Sequence, residues 1–404
     1  MAGIGSDGSV DKQTYGTLTI DGAGTTFHVG GPIGVGQSYD STGIVNLKDG
    51  GTLRAKTFYG ASAGRNGKSY VNFVGGTYEY IGWGATCLFG ISPDAYNEAD
   101  RSMTRVTVYA QGGAIELSSS QKDRKFGQPI HGATGRGVAS IPWADTESTF
   151  IGAPAIVIEG DGIGASAMAN YDPDTRTVSG FTVTSPGCDY TMATAYVLQG
   201  PVTNAVIDLA GSLVENAPDG GMTFRHTNTG SIVFDVANTY TGPTVLDSVH
   251  ASAIFAITNK DAFAASSSIA LKGNAKLYIG GYTLADLSAP FRFMGGTVTG
   301  ELPRYAIPEG RLVVDANDIL SGDANTLADN GNIALPSSVT LLNGERLREA
   351  FASDSSKRRF KLLELHSKDA NTPLVVHGVP DGWHVSRIGT TLRLARNGSL
   401  FILR

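Results

Sequence analysis

The chain has 404 residues, 53 of them glycine, with 17% charged residues and a formal net charge of −6. That acidic balance offers no basic stripe for a phosphate backbone, so no nucleic-acid partner is expected. No stretch approaches the ~18 apolar residues of a membrane-spanning helix, and glycine near twice its usual share without a triplet period excludes collagen and points to a turn-rich β protein.

The first ten residues, MAGIGSDGSV, contain no basic segment followed by an apolar core, so no export signal is expected within this chain. Residues 16–82 then read three times as a short alternating strand running into a glycine turn: GTLTIDGAGTTFHVGG, GIVNLKDGGTLRAKTFYG and SYVNFVGGTYEYIG. Leu18 and Ile20, Val45 and Leu47, and Val71 and Phe73 alternate with polar residues. Four or five strand residues cannot offset roughly 1–2 kcal/mol of backbone ordering each. Units this short must therefore stack and share a core. The pairs Gly30-Gly31, Gly50-Gly51 and Gly75-Gly76 recur at intervals of about one β-solenoid coil, the glycines supplying corners. A hairpin series in a β-sandwich is the alternative. The spacing favours an all-β, right-handed, single-stranded parallel β-helix.

A polar loop, ISPDAYNEADRSM, interrupts at residues 91–103. Asp94, Glu98 and Asp100 could meet a cation there, but a loop with a capped helical turn is the expectation. Residues 119–154 lose the period and crowd His131, Arg136, Trp143, Asp145 and Glu147 together. Such residues in a long loop on a rigid scaffold suggest a ledge, with Trp143 as a ligand-stacking platform. Asp145 and Glu147, beside Arg136 and His131, are the catalytic candidates, since glycoside cleavage needs two carboxylates ~5–10 Å apart. The favoured reading nevertheless has Trp143 plugging a coil end and the charges solvated, because no two of these residues stand at a known catalytic offset.

Glycine-rich strands follow. The fragment GDGIGA at residues 160–165 lacks the full G-x-G-x-x-G and leads into a strand, so it reads as a turn rather than a phosphate loop. Asp172 and Asp174 flank Pro173 in a turn; they are candidate calcium ligands, against the usual role of turn aspartates in capping their own backbone. No other cofactor is expected. From residue 204 coil-like strands return, beginning with AVIDLAGSLVE, and the polar corner NTYTGPT at 238–244 is expected to hydrogen-bond from coil to coil. GERLREAF at 344–351 reads as a short helix, followed by four strands that cap the open end, with LFILR as a further edge strand. The run Lys357, Arg358, Arg359 with Lys361 reads as a solvated face. Cys87 and Cys188 show no metal-ligand spacing and sit among small and apolar residues, so buried free thiols are expected. The chain thus divides into N-terminal coils (1–118), an excursion and strand module (119–203), further coils (204–343) and a capping region (344–404).

Residues 16–55 resemble the repeat of autotransporter passengers and other bacterial surface proteins, and residues 238–284 are similar to the passenger-associated transport repeat. The end of the chain, with Gly382-Trp383, resembles the closing coils of such passengers. The resemblance implies a parallel β-helix that is exported and displayed at, or released from, a bacterial surface, without the translocating barrel in this chain. The expected function is adhesion or binding of glycans and cell-surface components by a repetitive polar face. A polysaccharide lyase or glycoside hydrolase and an inert stalk are the alternatives.

Overall fold

The computed structural model describes residues 2–4, 14–37, 40–60, 67–82, 87–90, 106–120, 123–199, 202–323, 325–327, 332–354, 359–369 and 371–397. Asp94, Glu98, Asp100, Lys357, Arg358 and the LFILR strand lie outside them. The chain forms two compact units, residues 1–242 and 243–404. Each is built on stacked parallel coils, so the expected parallel β-helix is the fold.

In the first unit the main sheet runs through β1 (Tyr15–Asp21), β2 (Thr42–Lys48), β3 (Lys68–Tyr80) and β4 (Thr107–Leu117), all parallel. Successive coils superpose 27 and then 26 residues apart, as Thr19, Asn46 and Asn72 show. Alternation sends Val45, Leu47, Val71, Phe73 and Val108 into the solenoid, where all are buried. Phe58 stacks on Phe89 at 5.6 Å and meets Tyr78 edge-on at 4.9 Å. Each such ring contributes about 2–3 kcal/mol by burial, and each pair adds about 1 kcal/mol more.

The glycine corners differ from the expected register. The Gly50 amide donates to the Gly75 carbonyl, and the Gly113 amide donates to the Gly221 carbonyl one coil later. Those glycines form one column because a Cβ on Gly113 would lie 2.6 Å from the Gly76 carbonyl oxygen. Gly31 belongs to another corner, where its carbonyl accepts from Lys56. Only the second of the two glycine intervals is therefore a true coil repeat.

The coil after β4 is interrupted. Ile130–Gly132 covers the first half of β4 and Met222–His226 covers the second, both parallel to it. Between them an antiparallel module is inserted, closed at its base by Arg136–Val138 against Leu213–Glu215. Its sheet has the order β5 (Ala155–Gly160), β8 (Ala193–Gln199), β9 (Val202–Asp208), and β6 (Ser166–Asp172) pairs with β7 (Thr177–Ser185) as a hairpin. Val138, Ile156, Val178, Ala195, Val197 and Leu209 give the module its own core. The segment from 205 to 215, expected among returning coils, instead completes this module, because its alternating apolar residues pack against β8 rather than against a coil.

In the second unit Thr244–Ser248, Ile269–Gly273 and Phe291–Met294 stack in parallel, and a second face stacks Ile254–Ile257, Lys276–Tyr278 and Thr297–Thr299. Asp315 caps a one-turn helix, α1 (Ala316–Leu320), by accepting from the Asn317 amide. Helix α2 (Glu345–Ser353) matches the expected one. The cap is antiparallel, with Arg359–Glu364 and Trp383–Ile388 flanking Thr391–Arg396, and Trp383 packs between Phe351 and Phe360.

Glu364 fastens this cap. It accepts from the hydroxyls of Thr390 and Thr391 and from Lys361, and these bonds, that of Thr390 foremost, pull its carboxyl from 4.5 down to about 2. A depressed carboxyl contributes stability that is fully present above its unfolded value and is lost as pH falls through the folded value. Trp383 fluorescence should therefore report loosening of the cap between about pH 4.5 and pH 2. In Glu364→Gln that pH dependence should flatten, and an unchanged profile would remove Glu364 as its source.

Candidate functional site

The outward side chains of the main sheet align in rows, one residue per coil. One row is Thr19, Asn46, Asn72, Tyr109 and His131; the next is Thr17, Ile44, Tyr70 and Thr107; the last is Tyr15, Thr42 and Lys68. The module sits on the first row. Asn46 Nδ2 donates to Thr19 Oγ1 at 3.0 Å and to Thr184 Oγ1 at 3.2 Å, while its Oδ1 accepts from Asn72 Nδ2 and Ser166 Oγ, each at 2.9 Å. Asn72 Nδ2 also donates to the Gly164 carbonyl at 2.9 Å. Gly164 takes φ +79°, and a Cβ there would lie 3.1 Å from Asn72 Oδ1 and 3.2 Å from Tyr109 Cβ, so only glycine lets the module come this close.

Beside this contact β5 overhangs the other two rows and leaves an open groove. Its floor is Tyr15, Thr17, Thr42, Ile44, Lys68 and Tyr70. Its wall is β5 from Ile156 to Gly160, continued by Gly162, Gly164, Ala165 and Tyr190. Among the described residues strand β5 pairs only with β8, so its other side is a sheet edge there. Tyr190 packs beneath Gly162, whose Cβ would fall 2.4 Å from the ring, and its hydroxyl accepts from the Ala165 amide at 3.3 Å. The ion pair Lys68 to Glu159 spans floor and wall at 3.7 Å, both side chains about half exposed. Tyr15 and Tyr70 have phenols pushed up, chiefly by burial and next by the Glu159 carboxylate. They are neutral at physiological pH, with apolar ring faces and a polar rim.

The residues singled out from the sequence do not line this groove. Trp143 is built into the module core, donating from Nε1 to the Val178 carbonyl at 2.9 Å and meeting Phe181 edge-on at 5.0 Å. Asp145 accepts from the amides of Glu147 and Ser148 and from the Ser148 hydroxyl. Those bonds, the hydroxyl first, lower its pKa and keep it an exposed turn carboxylate rather than a proton donor. Glu147 is exposed in the same turn. Arg136 donates to the Leu213 carbonyl at the base of the module. His131 continues the row beyond Tyr109, and burial lowers its pKa against the opposing pull of Asp189. Asp172 and Asp174 form the tip of the hairpin, where Asp172 accepts from the Asp174 amide at 2.8 Å. No group of three or more metal-ligating side chains is found among the described residues. Cys87 and Cys188 are buried free thiols, and burial raises the Cys188 thiol to about 12, which leaves it unreactive.

The corner at 238–244 does bond across coils: Asn238 Oδ1 accepts from the Ile130 amide and Thr239 Oγ1 from the Gly132 amide. Groove residues left a weaker mark in the sequence. With the coil spacing known, Tyr15, Ile44 and Tyr70 stand out as large side chains at outward positions where Thr or Asn would be soluble. Comparison with protein-family models, with curated proteins and with solved structures gave no match for this chain.

Proposed function

We propose that the chain is a displayed bacterial β-solenoid of autotransporter-passenger type that binds glycans in the groove between its main sheet and the inserted module. The observation that carries this reading is the pairing of Tyr15 and Tyr70 on the floor with the edge of β5 on the wall. Aromatic faces stack on the C–H surfaces of sugar rings, and main-chain groups at a strand edge hydrogen-bond sugar hydroxyls. The floor belongs to stacked coils and the wall to a module with its own core, so the two are pre-ordered and little is lost on binding. Repeated weak engagement along a surface-displayed array would give avidity. Surface display itself rests on the sequence resemblance. No helix among the described residues is long and apolar enough to cross a membrane.

A glycan array followed by titration tests this. Tyr70→Ala and Tyr15→Ala should each weaken the best saccharide by about tenfold or more, as expected for stacking contacts of about 1–2 kcal/mol. The thermal transition should move little for Tyr15→Ala. An array with no signal above background would remove the reading.

A further inference from the structure

The groove has a charge pattern that bears on which saccharides it accepts. This inference rests on the glycan reading and adds the ligand class. Among its described lining residues Lys68 and Glu159 are the only charged ones, and they face each other at 3.7 Å. Lys68 is therefore already matched by a carboxylate on the opposite wall. Tyr15 and Tyr70 both feel Glu159, and Tyr15 also feels Asp40.

We infer that the groove is built for neutral saccharides and that Glu159 is a specificity-determining residue which excludes acidic ones. A uronate or other sugar acid approaching Lys68 meets Glu159 on the same cation. Like charges within a few ångströms at a half-exposed site disfavour binding on the order of tenfold. A neutral sugar instead finds an acceptor at Glu159, a donor at Lys68 and two phenol rims, none of which requires the ion pair to break. Exclusion by a repelling group is as much a source of specificity as attraction by a fitting one.

The test uses the full chain and its Glu159→Gln variant, titrated with neutral gluco-, manno- and galacto-oligosaccharides and with oligogalacturonate and oligoalginate, at low and high salt. The parent protein should favour the neutral set. In Glu159→Gln the ratio of acidic to neutral affinity should rise on the order of tenfold, because Lys68 is released. The gain should shrink at high salt and vanish in Glu159→Gln with Lys68→Met. Glu159 is exposed at the mouth, and superimposable melting curves would confirm that the variants are folded. Preference of the parent for acidic sugars, or no acidic gain in Glu159→Gln, overturns the inference while leaving glycan binding in place. Silence of both proteins toward every saccharide overturns both, and binding of an extended peptide along β5 in its place would identify the other occupant of a strand edge.

Discussion

Asp318→Ala is expected to destabilise the second unit by about 3–5 kcal/mol, the cost typical of leaving one partner of a buried ion pair uncompensated. Arg292 lies on the strand Phe291–Met294 with 9% of its surface exposed, and Asp318 lies on α1 with 8% exposed. The guanidinium engages the carboxylate with two parallel bonds, Nε to Oδ2 at 3.1 Å and Nη2 to Oδ1, and Nη1 reaches Ser268 Oγ at 3.5 Å. This bidentate pair ties a coil to the helical turn that follows it, and Asp315 holds that turn in place by capping α1. Removing the carboxylate leaves the Arg292 charge inside without a counter-ion, with only the long contact to Ser268 remaining. Stacked coils need not unfold together, so amide exchange of residues 291–294 is a sharper readout than a global melt. Exchange there should accelerate roughly a hundredfold to a thousandfold. Replacing both residues, Arg292→Met with Asp318→Leu, should restore most of the protection, because the pair pays its desolvation on both sides. A single variant as protected as the parent would show that the pair is solvated and structurally idle.

The sequence made the coils legible through alternation. Val45 and Leu47 beside Val71 and Phe73 report one buried face, and the strands that carry them pair as expected. It misassigned one glycine interval, because Gly30-Gly31 and Gly50-Gly51 are the same dipeptide at two different corners, and spacing alone does not say which corner a turn serves. The 205–215 stretch was misread for a related reason. Alternation such as that of Ala205 and Ile207 is identical whether a strand stacks in parallel on a coil or pairs antiparallel within a module; periodicity records burial of a face and is silent on strand direction. The candidate site was less legible still. Trp143, Asp145 and Glu147 are chemically rich types in a long loop, yet a tryptophan that donates to Val178 and a carboxylate that caps Ser148 serve structural tasks. Tyr15, Tyr70 and Glu159 come together only because β5, about 90 residues downstream of β3, folds back over the sheet. No local pattern encodes that juxtaposition.

Asn46→Leu should loosen the module from the main sheet and remove ligand binding together with it. Side-chain hydrogen bonds hold the contact beside a small apolar cluster of Tyr109, Ala133, Cys188 and Ile163: Asn46 alone serves Thr19, Asn72, Ser166 and Thr184, and it is fully buried. Leucine fills similar space but offers no partner, so Asn72 and the Ser166 and Thr184 hydroxyls each lose a bond inside a site closed to water. Unsatisfied buried groups cost about 1–3 kcal/mol apiece. Ser166 and Thr184 keep their mutual bond at 2.9 Å, and Asn72 keeps the Gly164 carbonyl. The net loss should therefore fall nearer 2–4 kcal/mol than the full sum. The module has its own core, so its internal strands should stay protected from exchange while amides at Ile163 to Ser166 open. Gly164→Val approaches the same contact from the other side, through strain at φ +79° and a clash with Asn72 and Tyr109, and should give the same exchange pattern. Saccharide affinity should fall in both, since the wall of the groove moves with β5. Local opening at residues 163–166 with undiminished affinity would separate the groove from the docking contact and place the binding surface elsewhere on the solenoid.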